Sequence, residues 1–297
     1  MMRHIVRISD GLGNQMFQYA FAYALHRHTG DEVLIDPLFW GTSLRKYQLD
    51  IFNITLKKRF ISPAKDYILG FGPRNGRKFK EKYRLYLVDK YYETITEQGQ
   101  MIYDPQMLKP EKSTFYLGFW QNPRYFDAFY DDIKRQFCYN KTLSEQCQQY
   151  KEKINSDVSV ALHIRRTDYV REVGDATLGL SFYKKALEEL DNKLGNYNLF
   201  IFSDDKDYVR NNFNLKDYVL VENVSDTEEF ELMRMCDHHI IANSTFSWWA
   251  AYLGENKGGI VYAPRTAIWS SDFYYDNWNL IDTETAQGIL LRSKYNE

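Results

Sequence analysis

Cysteine is scarce in this chain, with Cys138, Cys147 and Cys236 the only three among 297 residues. Their odd number and wide spacing exclude a disulfide framework and a zinc finger or ribbon, and free thiols fit a reducing compartment. Long apolar runs are absent too. None approaches the ~20 residues that a membrane span requires, and the stretch from Met1 reaches Ser9 and Asp10 too soon to hold a signal-peptide core. The expectation is a cytoplasmic protein, in which the sequons at Asn53, Asn140, Asn223 and Asn243 are incidental. There is no G-x-x-x-x-G-K-[ST] loop, no His-Glu-x-x-His pair and no Gly-x-Ser-x-Gly elbow. P-loop NTPases, zincins and hydrolases built on that elbow are thereby set aside.

What the chain does contain is ordinary globular material, 44% hydrophobic and 26% charged, enough for one large core or two of common size. Two domains are expected. Aromatics are plentiful, with 24 Tyr, 19 Phe and 6 Trp, and such rings either fill cores or line carbohydrate clefts. The net charge of −2 conceals an uneven distribution. Residues 57–90 hold eleven Lys/Arg against three acids, a local +8 interleaved with Phe60, Tyr67, Phe71, Phe79, Tyr83 and Tyr86. Such a segment is a solvated face, or it meets an acidic acceptor, a nucleic acid or the anionic inner surface of a membrane.

The first 36 residues read as a βαβ opening. A strand over 5–8 leads through the glycine turn Gly11-Leu12-Gly13-Asn14-Gln15 into a helix from Met16 to about His28, closed by Gly30 before a strand at 33–35. Residues 40–115 alternate poorly and read as mixed helix and loop, and a polar linker is expected over 136–156. The second half repeats strand and helix with regularity: strands at 158–164, 198–202, 218–221, 239–241 and 260–262, and helices over 181–190, 230–235 and up to Leu253. The pattern predicts an α/β protein with doubly wound parallel sheets, an N-terminal domain over 1–150 and a C-terminal domain over 151–297.

The chemistry-bearing residues cluster at the ends of predicted strands, where open α/β sheets bind ligands. His163-Ile164-Arg165-Arg166-Thr167-Asp168 follows an apolar strand and presents two guanidinium forks suited to phosphate oxygens. Ser203-Asp204-Asp205 ends the next strand, and its carboxylates suit a base or ribose. Asn243-Ser244-Thr245 opens a helix, whose N–H groups and positive end favour an anion. Gly11 to Met16 sits where a dinucleotide fingerprint would, with Asp36 closing the second strand, but Met16 replaces its third glycine. A nicotinamide- or flavin-dependent oxidoreductase therefore remains an alternative, as does a non-catalytic carbohydrate-binding protein. Asp205-Lys206-Asp207 has the spacing of a divalent-cation site, although two arginines make a metal unnecessary.

In combination, Gly11-Leu12-Gly13-Asn14-Gln15-Met16-Phe17-Gln18-Tyr19-Ala20, the His163–Tyr169 run, Phe202-Ser203-Asp204-Asp205 and Asn243-Ser244-Thr245-Phe246-Ser247-Trp248-Trp249 resemble the bacterial α-1,2-fucosyltransferases of glycosyltransferase family 11. Order and spacing agree from about residue 4 to 265, with nothing matched over 56–115. The resemblance implies two Rossmann-like domains in the GT-B arrangement, facing across a cleft. It implies metal-independent, inverting transfer of fucose from GDP-β-L-fucose, with no cofactor, to the 2-hydroxyl of a galactose in an oligosaccharide or lipid-linked glycan. The acceptor would lie on the N-terminal side, with the basic segment serving it or the membrane surface, and no nucleic acid would be bound. It places the β-phosphate on Arg165, guanine and ribose on His163 and the Asp204/Asp205 pair, and the pyrophosphate on Ser244, Thr245 and Phe246. Gly11, Gly13, Arg166, Ser203 and Asn243 complete the donor set, and Asn14 reaches toward the donor sugar. Asp168 and Glu172 are candidate bases, with Asp168 alternatively an orienting partner of Arg166.

Overall fold

A computed structural model describes residues 1–37, 46–59, 91–99, 101–167, 177–215, 217–254, 258–265 and 271–283. The chain divides between Asn140 and Lys141 into two compact units.

In the first unit β1 (Arg3–Arg7), α1 (Leu12–Thr29) and β2 (Glu32–Asp36) form the expected parallel βαβ opening. From Leu12 to Leu25 every residue of α1 except Asn14 is buried, as an all-round apolar helix must be. The helix begins before Met16, so Gly13 and Asn14 lie in its first turn and not in a glycine turn ahead of it. The left-handed residue at the β1–α1 junction is Asp10, at φ 66°. Gly30, at φ 70°, ends the helix by donating its N–H to the His26 carbonyl. Two further strands, β3 (Glu93–Thr96) and β4 (Thr114–Leu117), complete a parallel sheet of order β2-β1-β4-β3. β3 falls within the stretch 40–115 expected to be helix and loop, and β4 begins at its end. Four-residue strands are too short for an alternation to register in the sequence.

The short helix α2 (Tyr130–Gln136) closes this unit, and α3 (Glu145–Ile154) opens the next. The expected boundary at 150/151 would cut α3, which is tied within the second unit. The Ser144 N–H donates to Glu228 at 2.6 Å and the Tyr150 hydroxyl to the Leu220 carbonyl at 3.3 Å. Then follow β5 (Ser159–Ile164), α4 (Leu180–Leu194), β6 (Asn198–Ser203), α5 (Lys206–Asn212) and β7 (Val219–Leu220). The chain continues through α6 (Asp226–Met235), β8 (His238–Ile240), α7 (Thr245–Leu253), β9 (Val261–Arg265) and β10 (Asn279–Asp282). The sheet is parallel throughout, in the order β10-β9-β8-β5-β6-β7. Every residue of β5 is buried, as expected at the centre of a sheet covered on both faces. Val160, Leu162 and Ile164 join Phe182, Ala186 and Leu190 of α4 in one core, which turns His163 to the opposite face.

Two consequences of this topology position the chemistry. All strands being parallel, their C-terminal ends share one edge of each sheet. The winding reverses between β5 and β8 in the second unit and between β1 and β4 in the first, and such switch points are where open sheets leave a crevice. Of the basic segment, 60–90 lie outside the described residues. Lys58 pairs with Asp50 at 2.5 Å and Arg59 with the fully buried Asp36 at 3.1 Å, so these two are engaged with carboxylates of the fold. Among the described residues no helix is long and apolar enough to cross a membrane.

The start of α6 carries a capping box, with Ser225 as the N-cap and Glu228 as its reciprocal partner. Burial raises the Glu228 carboxyl, but hydrogen bonds from the N–H groups and hydroxyls of Ser144 and Ser225 outweigh it and hold the pKa at about 2. A carboxylate depressed in the folded state stabilises above its ordinary value and loses that contribution as pH falls. Glu228→Gln should therefore lower the melting temperature at neutral pH, and its melting curve should vary less than wild type between about pH 4.5 and about pH 2. Parallel thermal melts across that range check it.

Candidate active site

The register of β5 and β6, with Ile164 opposite Ser203, brings the residues that follow each strand side by side. Asp204 there fastens the neighbouring chain. One of its oxygens accepts the Arg166 N–H at 2.8 Å. The other accepts the Thr167 N–H at 3.2 Å and hydroxyl at 2.7 Å, and pairs with Arg165 Nη1 at 3.0 Å. Three of these contacts fall on one oxygen and one on the other, so Asp204 holds the arginine loop through four of the protein's own donors.

Asp205 is likewise occupied. It caps α5 by accepting the Tyr208 N–H at 3.0 Å, and its other oxygen lies 3.5 Å from Arg166 Nε. The Arg166 guanidinium lies over the Tyr208 ring at 3.5 Å, a cation–π contact that fixes its plane. Ser203 completes the turn, its hydroxyl accepting the Asp205 N–H at 3.0 Å. Asp207, the other half of the Asp-x-Asp spacing, pairs with Arg210 at 2.9 Å and is largely exposed. Asp168 and Glu172 lie outside the described residues.

His163 is 5% exposed, and its Nδ1 is buried without a partner among the described residues. Burial, reinforced by the charges of Arg165 and Lys206, pushes its pKa down to about 3, so the ring is neutral at physiological pH. Phe246 stands 5.8 Å from it, centroid to centroid, with Phe230 at 5.2 Å beyond. Asn243 and Ser244 end the loop after β8, and Ser244 is the N-cap of α7, with Thr245 the first helical residue. Ser244 makes no side-chain cap bond, unlike Asp205 and Ser225 at theirs. The end of β5 and the start of α7 thus flank the switch point of this unit.

In the first unit Gln18 spans the corresponding reversal. Its amide accepts the Ser9 N–H at 2.7 Å and donates to the Gly118 carbonyl at 3.0 Å. Gln121, 3% exposed, donates to Asn14 Oδ1 at 2.8 Å, so the amide of Asn14 is oriented from the loop after β4. Gly11 is the N-cap of α1 with an ordinary extended φ of −69°, and a Cβ there would meet nothing within 4 Å. Asp36, buried against Arg59, is not available to a ribose, which removes the acidic partner a dinucleotide site needs.

Comparison with known proteins fits these features. The model of glycosyl transferase family 11 matches residues 2–282. The chain belongs to that family. It is similar to an Escherichia coli alpha-1,2-colitosyltransferase, 32% identical over 88% of this chain and 90% of that protein. A Bos taurus galactoside 2-alpha-L-fucosyltransferase is 25% identical over 88% of this chain and 67% of its own. Among solved structures, an Arabidopsis thaliana FUT1 mutant in complex with GDP superimposes with a TM-score of 0.50 at 12% identity, covering 88% of this chain and 70% of that one. That likeness speaks to the fold, two Rossmann-like units in one chain of the GT-B class. As a family 11 member the chain is a glycosyltransferase, and neither the oxidoreductase nor the non-catalytic reading is retained.

Lys206, Glu229, Gln18 and Gln121 were not singled out from sequence. Lys206 stood unread between two acids, and Gln18 lay inside the matched run without a role of its own. Losing Asp204 should do more than lose one contact. Asp204→Ala is expected to cost about 1–3 kcal/mol of stability and to slow sugar transfer by ~10² or more, because Arg165 loses its support. Exposed Asp207→Ala should stay within about 0.5 kcal/mol of wild type. Thermal melts and transfer rates of the two variants make the comparison.

Proposed function

We propose that this glycosyltransferase moves L-fucose from GDP-β-L-fucose, with inversion and without a metal ion or cofactor, to the 2-hydroxyl of a galactose in a glycan. The observation that carries the reading is Arg165, held by Asp204 at the end of β5, beside the switch point that α7 opens on its other side. A diphosphate leaving group gathers negative charge as its bond to the sugar breaks. A guanidinium already fixed in place stabilises that charge with no reorganisation, and removing such a donor costs ~10²–10³ in rate. Arg165 is the catalytic cation in this reading, Arg166 a second donor, Asn14 a contributor to turnover from the first unit, and Asp168 the candidate base. The acceptor is an oligosaccharide or a lipid-linked glycan, in keeping with the relative named as a galactoside fucosyltransferase.

A colitosyl donor is the second reading, favoured by the colitosyltransferase relative. Transfer to lactose from GDP-fucose and from GDP-colitose, each with and without EDTA, separates the two. Faster transfer from GDP-fucose, unaffected by chelation, is expected. Activity lost to EDTA and restored by manganese would end the metal-free reading. Lysine cannot reproduce the two-pronged arginine geometry, so folded Arg165→Lys should be nearly as slow as Arg165→Ala in single-turnover transfer. Asn14→Ala should cut turnover with little change in melting temperature, Asn14 being the one unburied residue in the first half of α1.

A further inference from the structure

The loop leaving β4 is fixed on both sides of Gln121. Ahead of it, Glu97 accepts the N–H groups of Phe119 and Trp120. A Cβ at Gly118 would come within 2.5 Å of the Glu97 Cβ, so the stem of this carboxylate packs directly on the glycine backbone. Behind it, the fully buried Asn122 donates from Nδ2 to the Met101 carbonyl at 3.0 Å and accepts the Arg124 N–H at 3.0 Å. Gln121 itself is 3% exposed, and its Nε2 donates to Asn14 Oδ1 at 2.8 Å across the reversal between β1 and β4. The helix under Asn14 is held as well, since the buried Gln15 donates to the carbonyls of Asp10 at 2.7 Å and Lys46 at 2.8 Å.

A buried amide is costly unless it is hydrogen-bonded, and methionine would fill a similar volume with no such requirement. What the amide adds is direction. Asparagine carries a donor and an acceptor on one planar group, and a half turn about its last bond exchanges them. A donor held against Oδ1 selects one of the two arrangements. The two polar atoms of an amide diverge, so Nδ2 with its pair of N–H groups is then turned away from the loop. We propose that Gln121 is a positioning residue for sugar transfer, which holds the Asn14 amide with its N–H side toward the reacting sugar. This rests on the part given to Asn14 in the proposed reaction. It assigns the rigid loop after β4 the task of setting one amide, through a residue that touches neither donor nor acceptor.

The test uses Gln121→Glu and Gln121→Met, each alone and combined with Asn14→Ala. Gln121→Glu keeps the shape but an ionised carboxylate only accepts, so Asn14 must turn over to donate to it. Gln121→Met removes the amide at similar volume and serves if the buried carboxylate prevents folding. Transfer to lactose is followed with whichever donor the wild type uses, GDP-fucose or GDP-colitose, and circular dichroism confirms folding. Misdirecting a group at the reaction centre costs up to ~10² in rate, so kcat should fall about 10-fold to 10²-fold in either variant. KM for the donor should stay within about a factor of two, the pattern of a contact made only in the transition state. In the Asn14→Ala background either substitution should slow transfer by no more than about a further factor of two, because a residue acting through Asn14 then has nothing left to position. Wild-type kcat in folded Gln121→Glu, or losses that multiply in the double variants, overturns the proposal and leaves Gln121 a packing residue. Wild-type kcat in Asn14→Ala alone is a different result, which removes Asn14 from the reaction and this proposal with it. Failure of the wild type to use either donor removes the proposed reaction itself.

Discussion

The carboxylate of Asp204 is the constraint on which the candidate site depends. It lies at the end of β6, and its partners lie 37 and 38 residues earlier in sequence, at the end of β5. A loop leaving a buried strand carries backbone N–H groups that lose their ladder partners where the sheet ends, and each must find another. Here two of them find one side chain. The same side chain holds Arg165, so the need to satisfy a loop and the need to aim a guanidinium have a common solution.

The first unit meets the same need with different groups. Glu97, just past β3, accepts the N–H of Phe119 at 2.7 Å and of Trp120 at 3.1 Å in the loop that leaves β4. Burial keeps its pKa above the ordinary carboxylate value, with the two backbone donors opposing. Trp120 sits at φ 55°, a left-handed conformation that costs a bulky residue about 1–3 kcal/mol and persists only where the surroundings enforce it. Full burial of its indole against Phe21, stacked at 4.3 Å, supplies the enforcement. The next residue, Gln121, holds Asn14. Strain in this loop is thus the consequence of burying Trp120 while directing Gln121 to α1.

Much of this was legible in the sequence, for reasons that also mark where legibility ends. The βαβ opening, β5, β6 and α7 announce themselves through contiguous apolar runs, Gly30 and Gly254 as stops, and motifs shared with family 11. β3, β4 and β10 do not, being four residues long with mixed composition. The neighbourhood of the residues ending β5 and β6 was legible, but not which contact each of them makes. Asp204 and Asp205 looked alike, yet a one-residue step carries the first onto the arginine loop and the second onto the cap of α5. Glu229 gave no local signal, since its proximity to the end of β6 depends on the crossover that brings α6 back toward the sheet.

Three consecutive assignments then fall into place: Arg165 with Asp204, Arg166 with Asp205, Lys206 with Glu229. Among the described residues each of these three cations has a carboxylate at 2.7 to 3.5 Å, so the three pairs together are charge-balanced. An unbalanced group of three cations would repel itself and pull in any available anion. A balanced one gains specificity from position instead. In the proposed reaction a diphosphate at this edge would engage donors already in place, and the interaction would strengthen as its own charge grew. Pairing would then weaken ground-state attraction more than stabilisation of the departing nucleotide, which is the difference that raises a rate.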